Sequence, residues 1–146
     1  MTERAARIRH ELLLRHPESR LTQVVTTQVQ APLSRSLPSD YQEFLEHVGW
    51  GEVGRMQYMF YEAPILPDEI FDPDNVSALV DVFLIGDDFA GDPVGYAFRD
   101  NQWHLVEIDH TRPEKLDFGS WPDIFAFIED RFLSSEVDRG QNADLI

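Results

Sequence analysis

The residues of this 146-residue chain best suited to chemistry are carboxylates and histidines. Asp87, Asp88 and Asp92 crowd the stretch GDDFAGDP, and three oxygen ligands that close together could hold a hard cation. A calcium loop, however, needs ligands at alternate positions and a closing glutamate, and neither is present. Asp72, Asp74 and Asn75 begin such a loop but lack its glycine. His104, Asp109 and His110 lie near the end of one expected strand, where both histidines share a face if the strand continues. A zinc site needs a further ligand and a spacing such as HExxH, which is missing, so these histidines are expected to be structural. His47, in the last turn of an expected helix, suits the negative end of the helix dipole.

Nucleophilic chemistry has less to work with. The chain holds no cysteine, which removes thiol nucleophiles, thiolate metal sites and disulfides. Ser120 precedes Trp-Pro at a helix start, which suits a cap rather than a nucleophile elbow. Neither GxGxxG nor Walker spacing occurs, and paired carboxylates among 27 acidic residues select no hydrolase. The chain is therefore expected to catalyse nothing and to need no metal or cofactor.

What remains is recognition by charge. Residues 1–39 hold six Arg and three Glu, a balance of +3, whereas residues 40–146 hold six basic and 24 acidic residues, a balance of −18. An acidic body repels phosphate backbones and anionic membranes and attracts basic proteins, so a protein partner is expected, with no nucleic acid and no membrane. The 86–93 loop reads as a solvated turn between strands. Its Asp87, Asp88 and Asp92, with Trp50 and Glu52 on the glycine-rich WGEVG segment, are the expected contacts to a basic partner. The N-terminal apolar run, Leu12 to Leu14, is too short for a signal peptide or a membrane span, which leaves the cytoplasm as the expected compartment. A monomer or weak homodimer is expected.

The elements that must position these residues are legible in outline. Length and composition suit one domain, taken as residues 1–134, with 135–146 a frayed acidic tail. Periodicity predicts a helix over 3–15, and over 21–33 a short helix that competes with a strand. LPSDYQEFLEHVG carries Tyr41, Phe44, Leu45 and Val48 at helical spacing, a Ser39–Gln42 capping box and a stop at Gly49. RMQYMFYE alternates as a strand, and three prolines leave APILPDEIFDPDN irregular with one turn of helix. Residues 76–85 suit a buried strand, VGYAFR and WHLVEID a hairpin turning at Asp100 and Asn101, and a last aromatic helix opens at Ser120. Helices first, strands in the middle and a helix last predict an α+β fold with a central, mostly antiparallel sheet and helices packed at its side.

Three of these stretches resemble the SUKH superfamily of Smi/Knr type. LPSDYQEFLEHVG is similar to its first helix motif, at Leu37, Pro38, Tyr41, Phe44, Leu45 and Gly49, although Val48 stands where the family usually has Asn. VFLIGDDFAGDPVGYAF resembles its strand, Gly-Asp loop and strand, at Gly86 and Gly91, and SWPDIFAFIEDRF its closing aromatic helix, at Trp121. The resemblance implies a bacterial immunity protein that neutralises a polymorphic toxin, often a nuclease, by covering a basic active site. The alternative it implies is a non-catalytic regulatory or scaffolding module.

Overall fold

A computed structural model describes residues 2–25, 29 and 35–134 of the chain. The expected tail 135–146 lies outside the described residues, as does most of the expected 21–33 helix. In chain order the elements are α1 (Thr2–Arg15), β1 (Arg20–Thr22), α2 (Ser39–His47), β2 (Trp50–Val53), β3 (Tyr58–Ile65), β4 (Val82–Asp87), β5 (Pro93–Arg99), β6 (Gln102–Ile108), β7 (Leu116–Asp117) and α3 (Ile124–Phe132). The strands form one sheet in the order β1 to β7, every neighbouring pair antiparallel. This is the α+β arrangement expected, with helices beside an antiparallel sheet.

Pairing register decides which side chains face the helices. Leu21, Gly51, Phe60, Gly86, Val94 and Glu107 stand opposite one another across β1 to β6 and so share a face. On that face Phe60, Phe83, Val94 and Tyr96 pack with Ile8 and Leu12 of α1, Tyr41, Phe44 and Leu45 of α2, and Phe125 and Ile128 of α3. Burial of each such side chain contributes about 1.5–3 kcal/mol, so this cluster is the main source of stability. On the opposite face Val82, Leu84, Ala97, Val106 and Ile108 form a second core with Leu79, Phe71 and Val76 of the 66–80 connection.

Hydrogen bonds tie the helix layer to the sheet. Asp40 Oδ2 accepts from the Tyr96 hydroxyl at 2.7 Å and from the Ile124 backbone N–H at 2.8 Å, joining α2, β5 and the start of α3. Burial, the largest influence, pushes the Asp40 carboxyl above its ordinary range despite these donors. The basic N-terminal segment is spent inside the fold. Arg4 pairs with Asp123 at 3.1 Å and Glu129 at 2.9 Å, Arg7 pairs with Glu129 at 3.2 Å, and Arg9 donates to the Val48 carbonyl at 2.5 Å.

Several boundaries differ from expectation for local reasons. Arg20–Thr22 is a strand, because Leu21 gains a sheet neighbour in Gly51 and its β-branched successor favours extension. Helix α2 has Pro38, not Ser39, at its N-cap with no side-chain cap, and the Gln42 amide donates to the Leu37 carbonyl at 2.9 Å. Helix α3 opens at Ile124, four residues after Ser120, because Pro122 biases Trp121 away from helix and Asp123 supplies the cap, accepting from Ala126 N–H at 2.8 Å. WGEV, part of the glycine-rich segment for which no strand was expected, is strand β2. Strand β3 begins at Tyr58 after a turn at 54–57 and runs through Pro64 to Ile65, the register shifting between Phe60 and Ile65, where a proline is tolerated. The connection after it winds three 3-10 turns where one helical turn was expected. The last of these delays β4 to Val82, and β4 then runs through Gly86 and Asp87, shortening the expected 86–93 loop.

Candidate functional site

Alternating strand direction gathers four connections at one end of the sheet. The chain entering β1, the 54–57 turn between β2 and β3, the 88–92 loop between β4 and β5, and the 109–115 loop between β6 and β7 all lie there. The connections are joined to one another. Gly54 N–H donates to Ser19 Oγ at 2.7 Å, Arg55 pairs with Glu18 at 2.8 Å, and Asp92 Oδ1 accepts from both the backbone N–H and Nδ1 of His110, at 3.0 and 2.7 Å. The Asp92 hydrogen bond and charge hold the exposed His110 above its ordinary value, so its protonated form is favoured.

The carboxylates expected to meet a partner also shape these connections. Glu52 accepts from Met56 N–H at 2.5 Å and closes the 54–57 turn. Asp87 accepts from Phe89 N–H at 2.8 Å and from the Tyr61 hydroxyl at 2.7 Å. Asp88 accepts from Ala90 and Asp92 N–H at 2.9 and 3.1 Å. A loop whose N–H groups are satisfied by its own carboxylates is pre-formed, so little ordering entropy remains to be lost on binding. Glu52 and Asp87 stand on the same face with Met59 between them, two strand spacings or about 10 Å apart. Trp50 is not brought to this end. It begins β2 opposite Thr22 and packs against the helix-side core.

The pre-formed turns push two apolar side chains outward. Met56 (φ 56°) and Phe89 (φ 68°) hold left-handed backbone conformations that residues with a side chain seldom adopt, and they are 66% and 43% exposed. Between the 88–92 and 109–115 loops lies an acidic recess of about 200 Å³, lined by Asp88, Asp92, Glu107, Ile108, Asp109, Asp117 and one lysine, Lys115. Five carboxylates against one ammonium make it complementary to a cation.

Asp92, Asp109 and His110 each bring one ligand atom within 4.8 Å of the others, which makes them the described residues able to offer a metal three ligands. Two of their oxygens already have donors, since Asp92 Oδ1 holds His110 and Asp109 Oδ1 holds Thr111 N–H and Oγ1 at 2.9 and 2.6 Å. Those Thr111 hydrogen bonds hold Asp109 below the usual carboxylate range. His104 does not join them, because β6 ends at Ile108 before His110 is reached. His104 instead meets the Arg99 carbonyl at 3.2 Å and the Phe118 ring at 5.6 Å.

The family-motif positions divide by role. Tyr41, Phe44 and Leu45 are fully buried, Leu37 packs against them, and Pro38 caps their helix. Gly49 ends that helix at φ 106°, where a Cβ would stand 2.6 Å from the Thr22 carbonyl oxygen. Gly86 lets β4 approach β3, a Cβ there falling 2.5 Å from the Met59 carbonyl oxygen. Gly91 sits at the loop tip under the His110 ring, and Trp121 packs edge-on to Phe127 and donates to Asp130 at 3.1 Å. Met56, Phe89, Asp109, His110 and Asp117 also stand at this loop end, which residue spacing did not group with Glu52 and the 87–92 carboxylates. Only the sheet's topology brings them together. Comparison with known proteins finds no matching family model, no matching curated protein and no matching solved structure.

Proposed function

We propose that this chain is a non-catalytic protein-binding module whose loop end docks onto a basic protein. The observation that carries the reading is the acidic recess between the 88–92 and 109–115 loops, of a size to receive one lysine or arginine side chain, on loops already held in shape by their own hydrogen bonds. An exposed aromatic residue on a loop that also carries charged groups is a common component of an interface, since aromatic residues are enriched there. The resemblance of the α2, 82–98 and α3 stretches to SUKH proteins favours, as the partner, a bacterial polymorphic toxin met in the cytoplasm. A nuclease-type toxin has a basic substrate cleft that such a surface would occlude. Among the described residues no helix is long and apolar enough to cross a membrane.

The test is coexpression with the protein encoded directly upstream. The reading expects a toxin domain there, growth restored by this chain, and a complex that elutes together. Persistent toxicity with both proteins folded, or no complex at micromolar concentration, would remove the immunity reading.

A further inference from the structure

The second core, on the sheet face opposite the helices, is built on Val82, Leu84, Ala97, Val106 and Ile108 of β4, β5 and β6. Toward the loop end a row of residues on β1 to β4 stands outside it. Arg20, Glu52, Met59 and Asp87 pair in succession across these four strands. Each is one residue from the helix-facing row, so alternation sends its side chain to the opposite face. Met59 is half-buried and belongs to neither core cluster.

Glu52 and Asp87, also half-buried, flank this methionine. Both carboxylates accept from neutral donors, Glu52 from Met56 N–H and Asp87 from Phe89 N–H and the Tyr61 hydroxyl. Among the described residues neither makes an ion pair, and exposed Arg20 does not pair with Glu52 across the strands. The row therefore presents two uncompensated charges astride an apolar, conformationally adaptable side chain.

The spacing of those charges selects the shape of what can meet them. Two strand spacings separate the carboxylates by about 10 Å. An extended partner strand presents same-face side chains about 6.8 or 13.6 Å apart, which misses that distance on either side. An α-helix returns to the same face after seven residues, or about 10.5 Å, with the third and fourth residues between.

We propose that this face receives a basic amphipathic α-helix of the protein partner, lying across β2 to β4 with arginine or lysine seven residues apart over Glu52 and Asp87 and an apolar residue between them on Met59. The proposal rests on the reading that the loop end meets a basic protein, and it adds that partner's secondary structure and residue pattern. Arg20 extends the pattern. It lies one strand spacing beyond Glu52, about one helical turn, so an acidic residue is favoured there and a third cation opposed.

The test titrates the isotope-labelled full chain, at low ionic strength, with two alanine-rich helical peptides of about 18 residues and identical composition. One carries arginines seven residues apart with leucines between them; in the other the second arginine is moved two residues back, about 140° around the helix from the first. The first should saturably shift the amides of Glu52, Met59 and Asp87. It should bind about fivefold more tightly than the second, the upper range for one exposed ion pair, with the preference shrinking in salt. Glu52→Gln keeps an acceptor for Met56 N–H, so the turn is retained, and it should erase the preference. Met59→Lys adds a like charge outside both cores and should abolish binding of the first peptide while the chain stays folded. Equal affinity for the two peptides, a preference kept in Glu52→Gln, shifts confined to 88–92 and 109–117, or no saturation by about 10 mM would overturn the proposal. A complex with the protein encoded upstream that Met59→Lys leaves unchanged would remove the helix site alone, whereas absence of any complex removes the docking reading itself.

Discussion

Replacing Asp40 with alanine tests how the helix layer is locked to the sheet. In the parent one oxygen, Asp40 Oδ2, serves the Tyr96 hydroxyl at 2.7 Å and Ile124 N–H at 2.8 Å, and Tyr96 is 2% exposed. Alanine leaves both donors without an acceptor, and at about 1–3 kcal/mol for each buried unpaired group the loss is about 2–6 kcal/mol. For a domain of this length that lowers the melting temperature by about 6–18 °C. Asp40→Asn keeps an acceptor oxygen in the same place and removes a charge that burial and Asp123 both disfavour, so its loss should stay near 1 kcal/mol or below.

The pH dependence separates the two effects. With the folded pKa raised above the ordinary 3.8, the native state holds the Asp40 proton longer than the unfolded chain does. The stabilising contribution of the protonated carboxyl is therefore greatest below 3.8, falls as pH rises through the window up to the folded pKa, and then levels off. Urea unfolding across this window, parent against Asp40→Asn, should show the parent losing stability relative to the variant as pH rises. An alanine variant as stable as the asparagine one, or a difference that does not change with pH, would refute the reasoning.

Three further outcomes follow from the loop end. Phe89→Gly should act with opposite signs in two assays: relief of the φ 68° backbone should raise stability by up to about 1 kcal/mol, while loss of the ring should weaken partner binding about 30-fold or more. The His110 titration, followed by NMR, should midpoint above the ordinary 6.5 and fall toward it in Asp92→Asn; the tie between the 88–92 and 109–115 loops is present below 6.5 and is lost as pH rises through the raised folded value. Gly86→Ala places a Cβ 2.5 Å from the Met59 carbonyl oxygen, a backbone atom that cannot swing away, and should cost about 1–3 kcal/mol in denaturant unfolding.

Elements with strong local signals could be read from the chain alone. The α2 stripe of Tyr41, Phe44, Leu45 and Val48 is buried throughout, and Asp100 and Asn101 turn the β5–β6 hairpin with φ 55° and 62°, as their tolerance of left-handed backbone suggests. Elements that depend on a distant partner could not. Two glycines obscured β2, whose close approach to β1 requires Gly51, a Cβ there falling 1.8 Å from the Arg20 carbonyl oxygen. The role of Asp40 was likewise hidden, because its partners, Tyr96 and Ile124, are 56 and 84 residues away.

At the candidate site the expected acidic loop was found, but its carboxylates turned out to be acceptors for neighbouring backbone N–H groups. The exposed Phe89 and the acidic recess between the 88–92 and 109–115 loops arise from turn conformations and strand order that residue spacing does not encode.

The central claim, that recognition takes place at the loop end of the sheet, is tested most directly by mapping the partner's footprint. With the isotope-labelled chain titrated by the protein encoded directly upstream, the account predicts that amide perturbations concentrate at 54–57, 88–92 and 109–117. A footprint confined to the exposed surface of α1 and α3, or to the opposite end of the sheet around 99–102, with those three segments silent, would contradict it.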